Sequence, residues 1–135
     1  MRSRRIDLAP MFAAAMLLAA PVLAADKQQT VKFASGASSA TLSGSVKGYD
    51  TSTFGIGANS GQAMTVSFSP DNASCYFNVT APGADSAVFV GSSSGNEYAG
   101  MLSASGDYAV QVYLMRNAAR RNETCHFKIT FKVTG

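Results

Sequence analysis

The sequence predicts an all-β domain, a small antiparallel β-sandwich of about eight strands with one disulfide. Three observations carry this. Beyond residue 30, apolar side chains recur at every second position, the period of a strand with one buried face. Gly, Ser, Asn, Asp and Pro gather between those runs at spacings suited to hairpin connections. The two cysteines, Cys75 and Cys125, fall in phase with the apolar face of their runs, so both sulfurs should point inward.

The elements follow in chain order. Arg2, Arg4 and Arg5 precede an uncharged apolar run, Met11 to Ala20, and Val22-Leu23-Ala24 supplies residues that a signal peptidase accepts. Residues 1–24 are expected to form a secretory leader, cut after Ala24 or Ala25, and residues 25–135 a single domain. The apolar run is short for a membrane anchor, and Pro21 suits a cleavage region. No cysteine stands near the cut to carry a lipid.

Val31 and Phe33 mark a first strand. Ala40, Leu42, Gly44 and Val46 mark a second, after which Gly48-Tyr49-Asp50 opens a loop. Met64, Val66 and Phe68 give a third run, and Cys75, Phe77 and Val79 a fourth. Tyr108, Val110, Val112 and Leu114 alternate next, and Cys125, Phe127, Ile129, Phe131 and Val133 close the series. Turns are expected at Gly57–Gly61, Ser69–Asn72, Ala81–Asp85, Gly91–Gly95 and Ser103–Asp107. No internal repeat or second domain is visible.

Charge narrows the partners. The full chain carries 11 basic and 8 acidic side chains. The leader holds Arg2, Arg4, Arg5 and Asp7, which leaves 8 basic against 7 acidic residues, a net charge near +1. A nucleic-acid partner needs a broad basic surface, and none is present. In an exported chain a cysteine pair reads first as a disulfide. Closing that loop would add about 4 kcal/mol in the chain-entropy treatment. A metal site is disfavoured, because His126 is the only histidine and the spacing fits no zinc pattern.

Catalysis finds little support. A serine triad needs a base, and His126 sits in mid-strand with its side chain phased outward, beside Lys128. No serine lies in a nucleophile elbow. Asp50, Asp71, Asp85, Glu97 and Asp107 are scattered over turns, where Asp is common for backbone reasons. Asn72, Asn78 and Asn122 open sequon triplets, which carry no meaning after a leader of bacterial character.

The stretch Ser105 to Cys125 is expected to concentrate the recognisable chemistry in one corner. Ser105-Gly106-Asp107-Tyr108 opens a strand that feeds a turn carrying Arg116, Arg120 and Arg121. Arg116 and Arg120 are four apart and share a face if the segment makes one helical turn. Glu123 is placed to pair with Arg120 or Arg121. A solvated loop is the plainer explanation of such a cluster. The turn, however, uses arginine without lysine, and arginine is suited to bidentate recognition of carboxylates. Tyr49 is either a core residue or an interface anchor.

The chain resembles the small periplasmic lysozyme inhibitors of Gram-negative bacteria, specifically the inhibitors of g-type lysozyme and their relatives against i-type lysozyme. The matching segments are Gly44 to Phe54 (G-S-V-K-G-Y-D-T-S-T-F), the Gly61-Gln62 turn, Ser105-Gly-Asp-Tyr108, and Met115-Arg-Asn-Ala-Ala-Arg-Arg121. The resemblance implies a non-catalytic β-sandwich, without cofactor, that inserts loops into the cleft of a lysozyme. By motif it implies partner contacts at Tyr49, Ser105, Gly106, Tyr108, Arg116, Arg120 and Arg121. The expected function is inhibition of a g-type or i-type lysozyme in the periplasm, and open sheet edges allow a homodimer. The rival is a glycan-binding β-sandwich module, which exposed aromatics and many Ser and Asn side chains also fit. A hydrolase built on His126 ranks third.

Overall fold

The computed structural model describes residues 23–135; the leader expected over 1–24 lies almost wholly outside them. Among the described residues, nine strands form two packed sheets. The first sheet contains β1 (Asp26–Thr30), β3 (Thr51–Ala58), β8 (Gly106–Leu114), β5 (Cys75–Thr80) and β6 (Phe89–Val90), in the order β1-β3-β8-β5-β6. The second contains β2 (Ser39–Lys47), β9 (Thr124–Thr134), β4 (Ala63–Pro70) and β7 (Glu97–Met101), in the order β2-β9-β4-β7. Two short helices interrupt the strands, α1 (Gly91–Ser94) and α2 (Arg116–Arg120).

Alternation builds the core as expected. Phe54, Ile56, Phe77, Val79, Val110 and Val112 face inward from the first sheet. Met64, Val66, Phe68, Phe127, Ile129 and Phe131 face them from the second. Phenylalanines hold the sheets together. Across the sheets Phe54 packs at 5.4 Å from Phe131 and Phe68 at 5.4 Å from Phe77, and within the second sheet Phe68 packs at 5.5 Å from Phe127. Contacts of this kind add about 0.5–1.5 kcal/mol per pair beyond area burial. Cys75 and Cys125 are both buried and bonded to each other, with Cα atoms 6.3 Å apart. Since Cys75 belongs to β5 and Cys125 to β9, the disulfide ties one sheet to the other.

Four strands differ from expectation: the short β6 and β7, which no alternating run marked, and two more. Of these two, the first is not centred on Val31 and Phe33. It is Asp26–Thr30, wholly exposed, and it runs parallel to β3 rather than antiparallel. Such a strand shows no alternation, because it buries neither face. Its anchor is polar: the Thr51 and Thr53 hydroxyls donate to Asp26 Oδ1 at 2.7 and 2.9 Å. These bonds, the Thr51 one foremost, hold the Asp26 carboxyl below its ordinary value of 3.8. The second is β3. The segment after Tyr49 is a strand through Ala58, with Ser52, Phe54, Ile56 and Ala58 buried. Gly55 and Gly57 on its outer face disguise it as a loop.

Candidate functional site

The strand β8 is nine residues long, so its ends lie about 26 Å apart at ~3.3 Å per residue. The Ser105–Tyr108 tetrad is at one end and the arginine turn at the other. They do not share a corner, which corrects the expectation drawn from their nearness in sequence.

At the arginine end, four connections converge. The β2–β3 turn carries Gly48, Tyr49 and Asp50. The β4–β5 turn carries Asp71 to Ser74. The β8–β9 connection carries α2. The chain also enters β1 here, at Ala25. The Gly48 N–H donates to the Glu123 carbonyl at 2.9 Å. Gly48 has φ +60°, and a Cβ there would meet Asn122 Oδ1 at 2.7 Å, so glycine is favoured where the two turns interlock. Asn122 itself adopts φ 57°, a left-handed conformation that asparagine tolerates. The interlock brings Tyr49, 56 % exposed, beside the arginine turn.

The helix α2 is one turn, pinned by buried Ala118 and Ala119. The Met115 N–H donates to the Ser74 carbonyl at 2.9 Å, and Asn117 Oδ1 accepts from the Ala118 N–H. With the alanines inward, Arg116 and Arg120 are exposed, four positions apart. Neither makes an ion pair or side-chain hydrogen bond among the described residues. Arg121 differs. Its Nε donates to Glu123 Oε2 at 2.6 Å in the one salt bridge found among the described residues. Asn72 Nδ2 donates to Glu123 Oε1 at 3.0 Å. The Asn72 amide first, and then Arg121, hold the Glu123 carboxyl below its ordinary value. Glu123 therefore fixes the base of the turn and leaves Arg116 and Arg120 free. The disulfide lies directly behind, since Cys75 begins β5 and Cys125 is the second residue of β9.

The residues 25–135 contain three arginines, and all three stand in this turn. Exposed Lys47 lies nearby, lining a shallow cavity of about 500 Å³ with Gly48, Tyr49, Asp50, Asn122 and Ala24. The end carries the three arginines and Lys47 among the carboxylates of Asp26, Asp50, Asp71 and Glu123, with Tyr49 and the 39 % exposed Met115 as apolar elements.

The tetrad end is organised differently. Tyr108 is 2 % exposed. Its hydroxyl donates to the Ala104 carbonyl at 2.7 Å and accepts from the Ala104 N–H at 3.3 Å. A tyrosine clasping backbone a few residues upstream is a corner device of β-sandwiches. The side chain expected to meet a partner is instead a core residue, because its ring is in phase with Val110 and Val112. Ser105 is exposed, but its Oγ accepts from the Ser60 N–H at 2.8 Å. Gly106 has φ +138°, and a Cβ there would press on Pro82 at 3.0 Å. The nearest charge is the acidic Asp107, exposed beside Gly106. His126 faces solvent on β9, as its phase predicts; its backbone N–H donates to Asp71 Oδ1 at 2.8 Å.

Sequence reasoning placed Glu123 beside Arg120 or Arg121, and the pairing is with Arg121; it missed Gly48, Asn72 and Asn122 as residues that position the site. The available signals were a glycine just before Tyr49 and an asparagine just after the arginines.

No family model matches the chain. An inhibitor of g-type lysozyme from Escherichia coli (strain K12) is 36 % identical over 122 residues, covering 87 % of this chain and 89 % of that protein. The crystal structure of a periplasmic lysozyme inhibitor of g-type lysozyme from Aeromonas hydrophila is 37 % identical, with a TM-score of 0.77, and covers 83 % of this chain and 100 % of its own. The corresponding inhibitor from Salmonella Typhimurium is 31 % identical, with a TM-score of 0.65, covering 80 % of this chain and 98 % of its own. The pre-peptidase C-terminal domain of a Bacillus anthracis collagenase, 15 % identical with a TM-score of 0.57, covers 82 % of this chain and 97 % of its own and shares the fold alone.

Proposed function

The chain belongs to the family of inhibitors of g-type lysozyme, and on that premise we propose that it is a periplasmic inhibitor that plugs the glycan cleft of a g-type lysozyme with its arginine end. It acts by occupancy and performs no chemistry of its own.

The observation that carries this reading is the pair of unengaged guanidinium groups, Arg116 and Arg120, on a short helix stapled from behind. A lysozyme cleft holds carboxylates, including a general acid beside the scissile bond. Guanidinium groups bind carboxylates in pairs of parallel hydrogen bonds, and such bonds strengthen where water is excluded. Tyr49 supplies rigid apolar area next to them, and tyrosine and arginine together dominate tight interfaces. The disulfide and the Glu123 network order the surface before contact, which lowers the entropic cost of association. Arg121, occupied by Glu123, supports the pair from beneath.

Ser105 and Gly106 belong to a weaker version of the same proposal. They reach the enzyme only if it spans the length of β8. Tyr108 acts there through its backbone and its corner.

The test is lysis of peptidoglycan by g-, i- and c-type lysozymes in the presence of residues 25–135. Strong inhibition of the g-type enzyme is expected. Inhibition of the i-type enzyme instead would redirect the target, and undiminished lysis by all three at micromolar concentration removes the proposal. Calorimetric heat on peptidoglycan fragments with no lysozyme present would favour the glycan-binding module. A second copy of the chain would add at an outer strand such as β2, which sedimentation reads directly.

A further inference from the structure

The entry of the chain into β1 is held by two backbone bonds at Ala25. Its N–H donates to Asp50 Oδ1 at 2.8 Å, and its carbonyl accepts from the Thr51 N–H at 2.9 Å. Asp50 follows Tyr49 directly, and Ala24 lines the same shallow cavity as Tyr49, Lys47 and Asn122. The neighbouring carboxylate, Asp26, is already committed to the hydroxyls of Thr51 and Thr53. Asp50 is therefore the acceptor left for whatever stands at the nitrogen of Ala25.

We propose that the leader is cut between Ala24 and Ala25, and that the α-ammonium released on Ala25 docks onto Asp50 to lock the base of the Tyr49 turn. Hydrolysis by a signal peptidase adds water across the Ala24–Ala25 amide. It leaves a carboxylate on Ala24 and an amine on Ala25 that takes up a proton at neutral pH, since α-amines titrate at about 7.7–8.0. The N–H···O bond seen at 2.8 Å then becomes a charge-assisted one of the same geometry.

Two features choose this bond over the next. A cut after Ala24 puts Val22 and Ala24 at the positions a signal peptidase reads, whereas a cut after Ala25 would put the larger Leu23 at the outer one. A cut after Ala25 would also discard both backbone bonds that join the chain to Asp50 and Thr51. Removing Ala24 opens one wall of the cavity beside Tyr49, so processing also clears that side chain on its leader-facing flank. The inference rests on residues 1–24 being a leader and does not require a lysozyme target.

The full precursor, exported by a Gram-negative host and purified from its periplasm, should have the intact mass of Ala25–Gly135. A mass beginning at Asp26 or elsewhere overturns the assignment of the cut. A second measurement tests the ammonium itself. Residues 25–135 are compared with the same chain bearing one extra glycine before Ala25, each with Asp50 and with Asp50→Asn. The extra glycine should lower the Tm by about 2–4 °C in the Asp50 chain and leave the Asp50→Asn chain unchanged. Equal melting of the two Asp50 chains overturns the docking. Both readouts proceed without any lysozyme, so their failure is distinct from failure to inhibit lysis.

Discussion

At one end of β8, Tyr108 turns its hydroxyl back onto Ala104; at the other, Arg116 and Arg120 make no polar contact with the rest of the described chain. The first end uses its polar groups inwardly, with Ser105 on Ser60 and Gln62 on Gly135. The second spends Glu123, Asn72, Asn122 and Gly48 on a platform, pairs Arg121 with Glu123 and leaves Arg116 and Arg120 without a side-chain partner among the described residues. Charged side chains held this way contribute little to folding, because exposed charges gain little from their own chain. Under the proposed function, the contrast separates a part of the molecule that serves stability from a part that would meet the partner. Motif residues alone do not reveal which is which, since both ends match the same family of inhibitors.

Substitutions can break that contrast in order of expected size. Tyr108→Ala should cost about 3–5 kcal/mol of stability, as large aromatic truncations in cores do, read by denaturant unfolding. The folded fraction should still inhibit at full strength; a lost inhibitory constant in the folded protein would move the contact surface to the tetrad end. The double change Arg116→Ala with Arg120→Ala should weaken inhibition by about 100-fold, the scale of paired hot spots, with the Tm moved by less than about 3 °C. A large fall in Tm would make these arginines part of the scaffold. Tyr49→Ala should weaken inhibition by about tenfold, measured in the same lysis assay. Ser105→Ala should leave inhibition within about twofold, and a larger loss would show that the partner reaches both ends.

The smallest effect is one of pH. Asp26 and Glu123 are both held below their ordinary values, and both sit at the arginine end. A carboxyl with a depressed folded value contributes stability that is present above its unfolded value, near 3.8 for Asp26, and is lost as pH falls through the folded one. Lowering the pH below about 3.8 should therefore loosen the arginine end before the tetrad end. Hydrogen exchange should show earlier loss of protection at Gly48 and Thr51 than at Ala104 and Tyr108 as pH is lowered. Equal loss at both ends would remove this asymmetry.

Much of this was legible in the residues. Alternation located most of the buried positions, and the phase of Cys75 and Cys125 placed both sulfurs in the core. The four-residue spacing of Arg116 and Arg120 anticipated their common exposure on α2. Four strands were hidden, β6 and β7 because they are only two and five residues long, and the other two for further physical reasons. β1 buries no face, so no period betrays it, and β3 carries Gly55 and Gly57 where a strand is usually bulky. The tetrad was misplaced for another reason. Adjacency along a strand is not adjacency in space, because an extended chain covers about 3.3 Å with each residue. Of the platform residues, Glu123 was expected to pair with a neighbouring arginine, and Gly48, Asn72 and Asn122 were the least visible. Their roles depend on φ at Gly48 and Asn122 and on which carboxylate each amide finds, and neither is written in composition.

The direction of β9 gives the molecule a practical polarity. That strand leaves the arginine end at Thr124 and delivers Gly135 to the opposite pole, where its carbonyl accepts from Gln62. Ala25, by contrast, enters beside Tyr49. A molecule tethered to a bead or sensor chip through its carboxyl terminus would stand with its guanidinium groups outward, ready for capture, while an amino-terminal tether would press them toward the support.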